Sequence, residues 1–473
     1  MKSDNSFSAA VNAYTCNAIA FAVMPNVAAS SAKAVQSIIS EASREDRAGD
    51  FMLAVQMGRY QIIESLLQTV WRGEWTGEAA WVLECVEALS VLCDHPIFSP
   101  MLIAQSSNVY LQVAILDSCV YLLSIAHGST SWEDNRTLSR VRPALRRIGT
   151  FVTEILSDAM VTLTSGASLV VLKNMEKINA VYDMFAADPR LFEILAHILD
   201  EHGILKRSCE MLSQLDLAGE HAMQHTDICR TLLELHRVIA QDVKGAGRLS
   251  AAEAIRTYSA TSLTEISCSQ RMGVTDAPEL DDLWAIMLTN IALILRKLPF
   301  ITTVVTEEVI PFINRVSSRV RSAMEWELHG EHTLGGLREV IALVEIIRHI
   351  VSVIADDAET KMSLLHDYAT PLLRLLRAVT NALNKPNLIR TYLEQSGDSE
   401  NQLSTKTLAS LMDGAASSII HALITAADTI IMILRDLTYA IQVLRRSPDA
   451  NLLAPSCVLP SVSTRFFLSL SVL

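Results

Sequence analysis

The chain has 473 residues, 50% of them hydrophobic and only 5% aromatic, with a net charge of −13 and a mean hydropathy of +0.29. So negative a balance argues against broad contact with nucleic acid or with anionic membrane, because both depend on clustered Lys and Arg to displace counterions. Glycine and proline, 17 and 13 residues, fall below ordinary usage, which excludes a turn-dense all-β chain and predicts long helices joined by short turns.

The first 27 residues have some of the flavour of a signal peptide, but Asp4 offsets Lys2, and Asn12, Thr15 and Asn17 interrupt the apolar run, so no cleaved leader is expected. Helices are predicted over 6–23 and 27–47, divided at Pro25, and over 52–71, with 75–93 as the antiparallel partner of the last. The stretch 109–126 (VYLQVAILDSCVYLLSIA) is apolar on most sides, with Gln112, Asp117 and Ser118 as exceptions, and should sit between neighbouring helices. Residues 127–136 read as a loop.

A helix over 138–163 opens with Arg140, Arg142, Arg146 and Arg147, a cluster read as a solvated face in so acidic a chain. Helices follow over 165–186, from the capping pair Asp188-Pro189 to 202, and over 204–215. A pair over 220–244 and 249–268 is divided by Gly245-Ala246-Gly247, read as a helix-breaking turn. GAGRLSAAEA lacks the third glycine of a dinucleotide fingerprint and the GK[ST] ending of a phosphate loop. His221, His225 and Cys229 recur every four residues, but HAMQH lacks the glutamate of HExxH, and an ordinary helix face is expected.

After a break at 272–278, where Thr275 or Asp276 can cap, Leu280, Leu283, Trp284, Met287, Leu288, Ile291, Leu295 and Leu298 form one stripe that ends at Pro299. The next helix, 302–328, is expected to kink or split at Pro311. The turn 329–336 contains HGEH, a metal motif in letters only. Residues 337–356 carry two adjacent apolar stripes, so that helix should touch two layers; 361–383 is predicted to be interrupted at Pro371, and a short helix to begin at Pro386. Residues 395–404 are the most polar stretch and a loop.

The most apolar run, 415–434, has the length of a membrane span. Its polar residues decide against one: His421, Thr425, Asp428, Arg435 and Asp436 share a stripe, and a carboxylate near a bilayer centre costs roughly 2.5–3.5 kcal/mol. Ile419, Leu423, Ala427, Ile430, Leu434, Leu437 and Ile441 share the other side and should face the core. Ile420, Ile424 and Ile431 widen the apolar arc beyond one neighbour and are the expected partner-binding residues. The tail, 448–473, has no period.

Eight cysteines (Cys16, Cys85, Cys93, Cys119, Cys209, Cys229, Cys268 and Cys457) form no CxxC and fall mostly in apolar runs, as buried reduced thiols do. Nothing pairs a nucleophile with a base or completes a ligand set, so catalytic, cofactor-binding and metal residues are all expected to be none. The organisation is that of an all-α chain, an α-solenoid of stacked antiparallel helix pairs of the HEAT or armadillo sort. Its expected sections are an N-terminal stack over 1–130, middle repeats over 131–274, C-terminal repeats over 275–447 and an irregular tail.

The segment 299–353, PFITTVVTEEVIPFINRVSSRVRSAMEWELHGEHTLGGLREVIALVEIIRHIVSV, together with the preceding DDLWAIMLTNIALILRKLP, resembles the C-terminal part of the large inner-ring scaffold nucleoporins, the 188/205 class. The shared pattern is an apolar helix entering PFI, a helix with spaced basic residues, a polar turn, and a TL..L.E start to a long apolar helix. Similarity is strongest over 278–446. The resemblance implies a karyopherin-like superhelix in the inner ring of the nuclear pore, bound by short helical or linear segments of linker nucleoporins, with no direct nucleic acid and no transmembrane segment. Family members are much longer than this chain, and no binding residue is carried over. A soluble transport receptor or adaptor of the same fold is the alternative, and an integral membrane protein using 109–126 and 415–434 is the contrasting class.

Overall fold

The computed structural model describes residues 135–163, 169–219, 221–269, 278–298, 302–326, 334–353, 358–385 and 420–433, with 435, 436 and scattered positions between 86 and 124. Every regular element among them is helical. The helices predicted before residue 86, the cap at Thr275 or Asp276, the HGEH turn, the short helix at 386–393, the loop at 395–404 and the tail lie outside the described residues. The chain divides into two compact units, Met1–Arg319 and Val320–Leu473.

The first unit begins its described helices with α1, Asn135–Leu163, and α2, Leu169–Ala186. The helix α3, Pro189–Glu201, starts as its sequence predicts: Asp188 is extended, its carboxylate accepts the Arg190 backbone N–H at 2.8 Å, and Pro189 fills the first turn. That arrangement satisfies one orphan donor and uses a residue that has none to lose. Gly203, at φ +60°, then turns the chain into α4, Ile204–Gln214, a left-handed conformation that glycine adopts without a Cβ penalty.

The helix α5, Ala222–Ala240, is followed directly by α6, Val243–Ala251. This corrects the glycine turn expected at 245–247, because those residues lie inside α6. The break is instead at Asp242, whose carboxylate caps α6 by accepting the Lys244 N–H at 2.7 Å. Gly245 serves a close approach, since a Cβ there would stand 2.0 Å from the Ile239 carbonyl oxygen. The single helix expected over 249–268 is likewise divided, into the end of α6, α7 (Ala254–Ala260) and α8 (Ser262–Ser269), with Glu253 in the left-handed region at φ 56° between the first two.

The helix α9 is Pro278–Lys297. Its predicted stripe is buried at Leu283, Trp284, Met287, Leu288, Ile291 and Leu295, each 2% exposed or less, and half-buried at Leu280 and Leu298. After it, α10 begins as Thr302–Val304, widens into a π-helical turn over Val305–Val309, and continues as Ile310–Arg315. Proline cannot donate to the carbonyl four residues back and crowds it. The extra residue of the π turn, in which the Ile310 N–H reaches the Val305 oxygen, delivers Pro311 to a fresh first turn. The division between the units falls within α11, Ser317–Ala323.

Packing in the first unit is layered. The long helices α2, α5 and α9 lie in a row, α5 against both others, while α3 packs on α1 and α2, α4 on α7, and α6 on α9. The central member is buried on most of its circumference: Ile228, Leu232, Leu233, Leu235, Ile239 and Ala240 are at most 2% exposed. At about 1.5–3 kcal/mol per large apolar side chain removed from water, this row holds the unit together.

Side-chain hydrogen bonds between helices recur at two sequence separations. Neighbouring helices meet at 22 to 29 residues, as in His236–Tyr258, Ser208–His236 and Thr153–Tyr182. Helices one position further along the row meet at 46 to 62 residues: Asn174–Gln112, Asn179–Thr231, Gln241–Asp183, Asn290–Leu233 and, in the second unit, Arg321–Asp367. A recurrent step of roughly 50 residues is what stacked pairs of long helices produce, and it exceeds the 40–47 residues of short helical repeats. No letter pattern in the sequence marks it.

In the second unit, α12 is Leu334–Val353 and α13 is Ala358–Leu383. Both expected stripes of α12 are buried: Leu337, Val340, Val344, Ile347 and Val351 on one, Leu343, Ile346 and Ile350 on the other, all at 3% exposure or below, with Val353 half-buried. The interruption expected at Pro371 is corrected, because α13 runs through it. Tyr368 before the proline and Leu372, Leu375 and Val379 after it are buried, and that burial offsets a cost of about 3 kcal/mol for an interior proline.

Candidate partner-binding surfaces

Residues 420–433 are helical, and the residues buried there are Leu423, Ala426, Thr429, Ile430 and Ile433. This stripe agrees with expectation at Leu423 and Ile430 and is rotated elsewhere, since Ala426 rather than Ala427 is the buried alanine; Ile419, Leu434, Leu437 and Ile441 lie outside the described residues. The polar stripe faces outward: His421, Thr425, Asp428 and Arg435 are exposed and Asp436 is half-exposed. Of the expected partner-binding residues, Ile424 is 44% exposed and Ile420 and Ile431 are half-buried. Among the described residues no helix is long and apolar enough to cross a membrane.

The other sequence candidates resolve into ordinary packing. Arg142, Arg146 and Arg147 pair with Glu193, Glu201 and Asp94 at 3.9, 3.0 and 3.2 Å. These are exposed pairs, each contributing about 0–1 kcal/mol. His225 Nδ1 lies 2.7 Å from the Asp216 carbonyl, His221 is exposed ahead of α5, and Cys229 points into the core, where burial pushes its thiol up to about 12. No group of potential metal ligands forms among the described residues.

A buried polar chain missed from the sequence links α4, α5 and α7. The Tyr258 hydroxyl stands 2.7 Å from His236 Nδ1, His236 Nε2 is 2.6 Å from Ser208 Oγ, and Ser208 donates to the Leu205 carbonyl at 2.8 Å. A neutral imidazole with its proton on Nε2 satisfies every member: the phenol donates to Nδ1, and Nε2–H donates to the serine. The composition resembles a relay that activates a serine, but all three side chains are 0% exposed and Ser208 Oγ–H is committed to a carbonyl. No substrate reaches it, and it holds three helices together.

Burial lowers the His236 pKa from 6.5 to about 3. The folded state therefore refuses a proton that the unfolded chain takes up, so this stability is present above pH 6.5 and is lost as pH falls toward 3. Between pH 6.5 and pH 5 the loss is expected to be about 1.5 kcal/mol. Denaturant titrations at the two pH values check it: a His236→Asn variant, less stable at neutral pH, should show a flatter slope, and an unchanged slope would exclude His236 as its origin.

A second feature missed from the sequence is a cleft of about 290 Å³ between α2 and α5, walled by Glu176, Asn179, Asp183, Arg230, Glu234 and Arg237. Asn179 is 9% exposed; its Nδ2–H donates to the Thr231 carbonyl at 3.0 Å, and its Oδ1 has no hydrogen-bond partner. Arg230 is paired with Asp282, and Arg237 with Glu234 at 2.5 Å. The helix spacing places Glu176, Asn179 and Asp183 on one side of α2, whereas their opposite wall lies some 50 residues away in sequence, beyond what periodicity reports.

No family model matches the chain, and no curated protein matches it.

Proposed function

We propose that the chain is a non-enzymatic helical scaffold of the nuclear pore inner ring, an α-solenoid that binds short helical or linear segments of linker nucleoporins and so supports nucleocytoplasmic transport. The stacking step of roughly 50 residues supports the solenoid part of the reading. The resemblance of 278–446 to the inner-ring scaffold class supplies the location, and α12, which opens at Leu334 with Leu337 and Glu339 buried, carries its TL..L.E pattern. Helical stacks present long surfaces on which a partner helix or an extended segment can lie. The stripe of Ile420, Ile424 and Ile431 is one such surface, with a linker helix as its occupant.

A tagged chain expressed in cells tests the location. A scaffold concentrates at the nuclear rim and recovers slowly after photobleaching, whereas a transport receptor, the alternative reading, recovers quickly; diffuse signal throughout the cell would reject both. Ile424→Asp is expected to change stability by less than about 1 kcal/mol, as exposed positions do, while weakening partner capture. The triple change of Ile420, Ile424 and Ile431 to Asp should abolish that capture. Thermal melting and pull-down on the same samples separate the two effects, and intact capture by the folded triple variant would contradict the assignment of this stripe.

A further inference from the structure

We draw no further inference here: the strongest candidate, the side-chain cluster where the π turn of α10 sets Glu308 beside the Glu253–Arg256 pair at the start of α7, has its one unpaired oxygen, Glu308 Oε2, buried away from any ligand, and nothing else in the cluster points to one.

Discussion

Asp281→Ala is expected to lower the stability of the first unit by about 3 kcal/mol, the low end of the cost of breaking a buried ion pair. Arg319, 2% exposed, donates from Nη2 to Asp281 Oδ1 at 2.9 Å, and its guanidinium lies over the Trp284 ring at 5.1 Å from the centroid. Trp284 is itself fully buried, with its ring centroid 5.9 Å from that of Phe312. Removing the carboxylate takes away the negative charge that offsets the burial of this guanidinium. Replacing both partners, as Asp281→Leu/Arg319→Met, should recover most of the loss, because a buried pair often does no better than apolar residues of similar volume. Denaturant titration followed by circular dichroism decides the matter. A loss below about 1 kcal/mol would mean that the pair behaves as a surface one.

The second large effect concerns Gly245 and Gly247, two residues apart and opposite in expected sign. A Cβ on Gly245 would stand 2.0 Å from the Ile239 carbonyl oxygen and 2.7 Å from Phe192 Cζ. The first of these is backbone and cannot swing away, so α6 must move off the end of α5. Gly245→Ala is expected to cost about 3 kcal/mol, in the upper range of overpacking. Gly247 meets nothing within 4 Å and sits inside a helix at an ordinary φ, so Gly247→Ala should stabilise by about 0.5–1 kcal/mol through helix propensity and a less flexible unfolded chain. Paired melting curves check both. Equal effects of the two substitutions would contradict the close approach of α5 and α6.

These glycines show where sequence reasoning stops. Apolar periodicity located α9 with its stripe and α12 with both of its stripes, and Asp188-Pro189 announced the start of α3, because those signals are local. Gly245-Ala246-Gly247 is also a local signal, and it misleads: glycine marks a turn in isolation, whereas here the demand comes from a carbonyl on the preceding helix, and the true stop is the ordinary-looking Asp242. Pro371 misleads for a related reason, since the apolar residues on both sides of it are buried and carry α13 through an unfavourable position. In 420–433 the sequence placed the polar stripe outward but put Ala427 where Ala426 makes the core contact, because that choice depends on the neighbouring helix.

The polar features were illegible for a different reason. Asn174, Asn179 and Asn290 each hydrogen-bond to a residue 52 to 62 positions away, so nothing nearby in the chain distinguishes them from surface asparagines. The same holds for the chain from Tyr258 through His236 to Ser208 and for the α2–α5 cleft. Two residues of the His221, His225, Cys229 series share a helix face with metal-like spacing, yet burial of Cys229 separates its sulfur from the exposed His221. Spacing along one helix says which side chains share a face. It does not say what faces them.

The proposed scaffold role is tested most directly by affinity capture of the full chain from a nuclear-envelope extract, with the bound proteins identified by mass spectrometry after a high-salt wash. Inner-ring nucleoporins recovered in amounts comparable to the chain, and retained through the wash, are the predicted result. Recovery of no inner-ring component, or of a small GTPase and phenylalanine-glycine repeat proteins released by the wash, would contradict it.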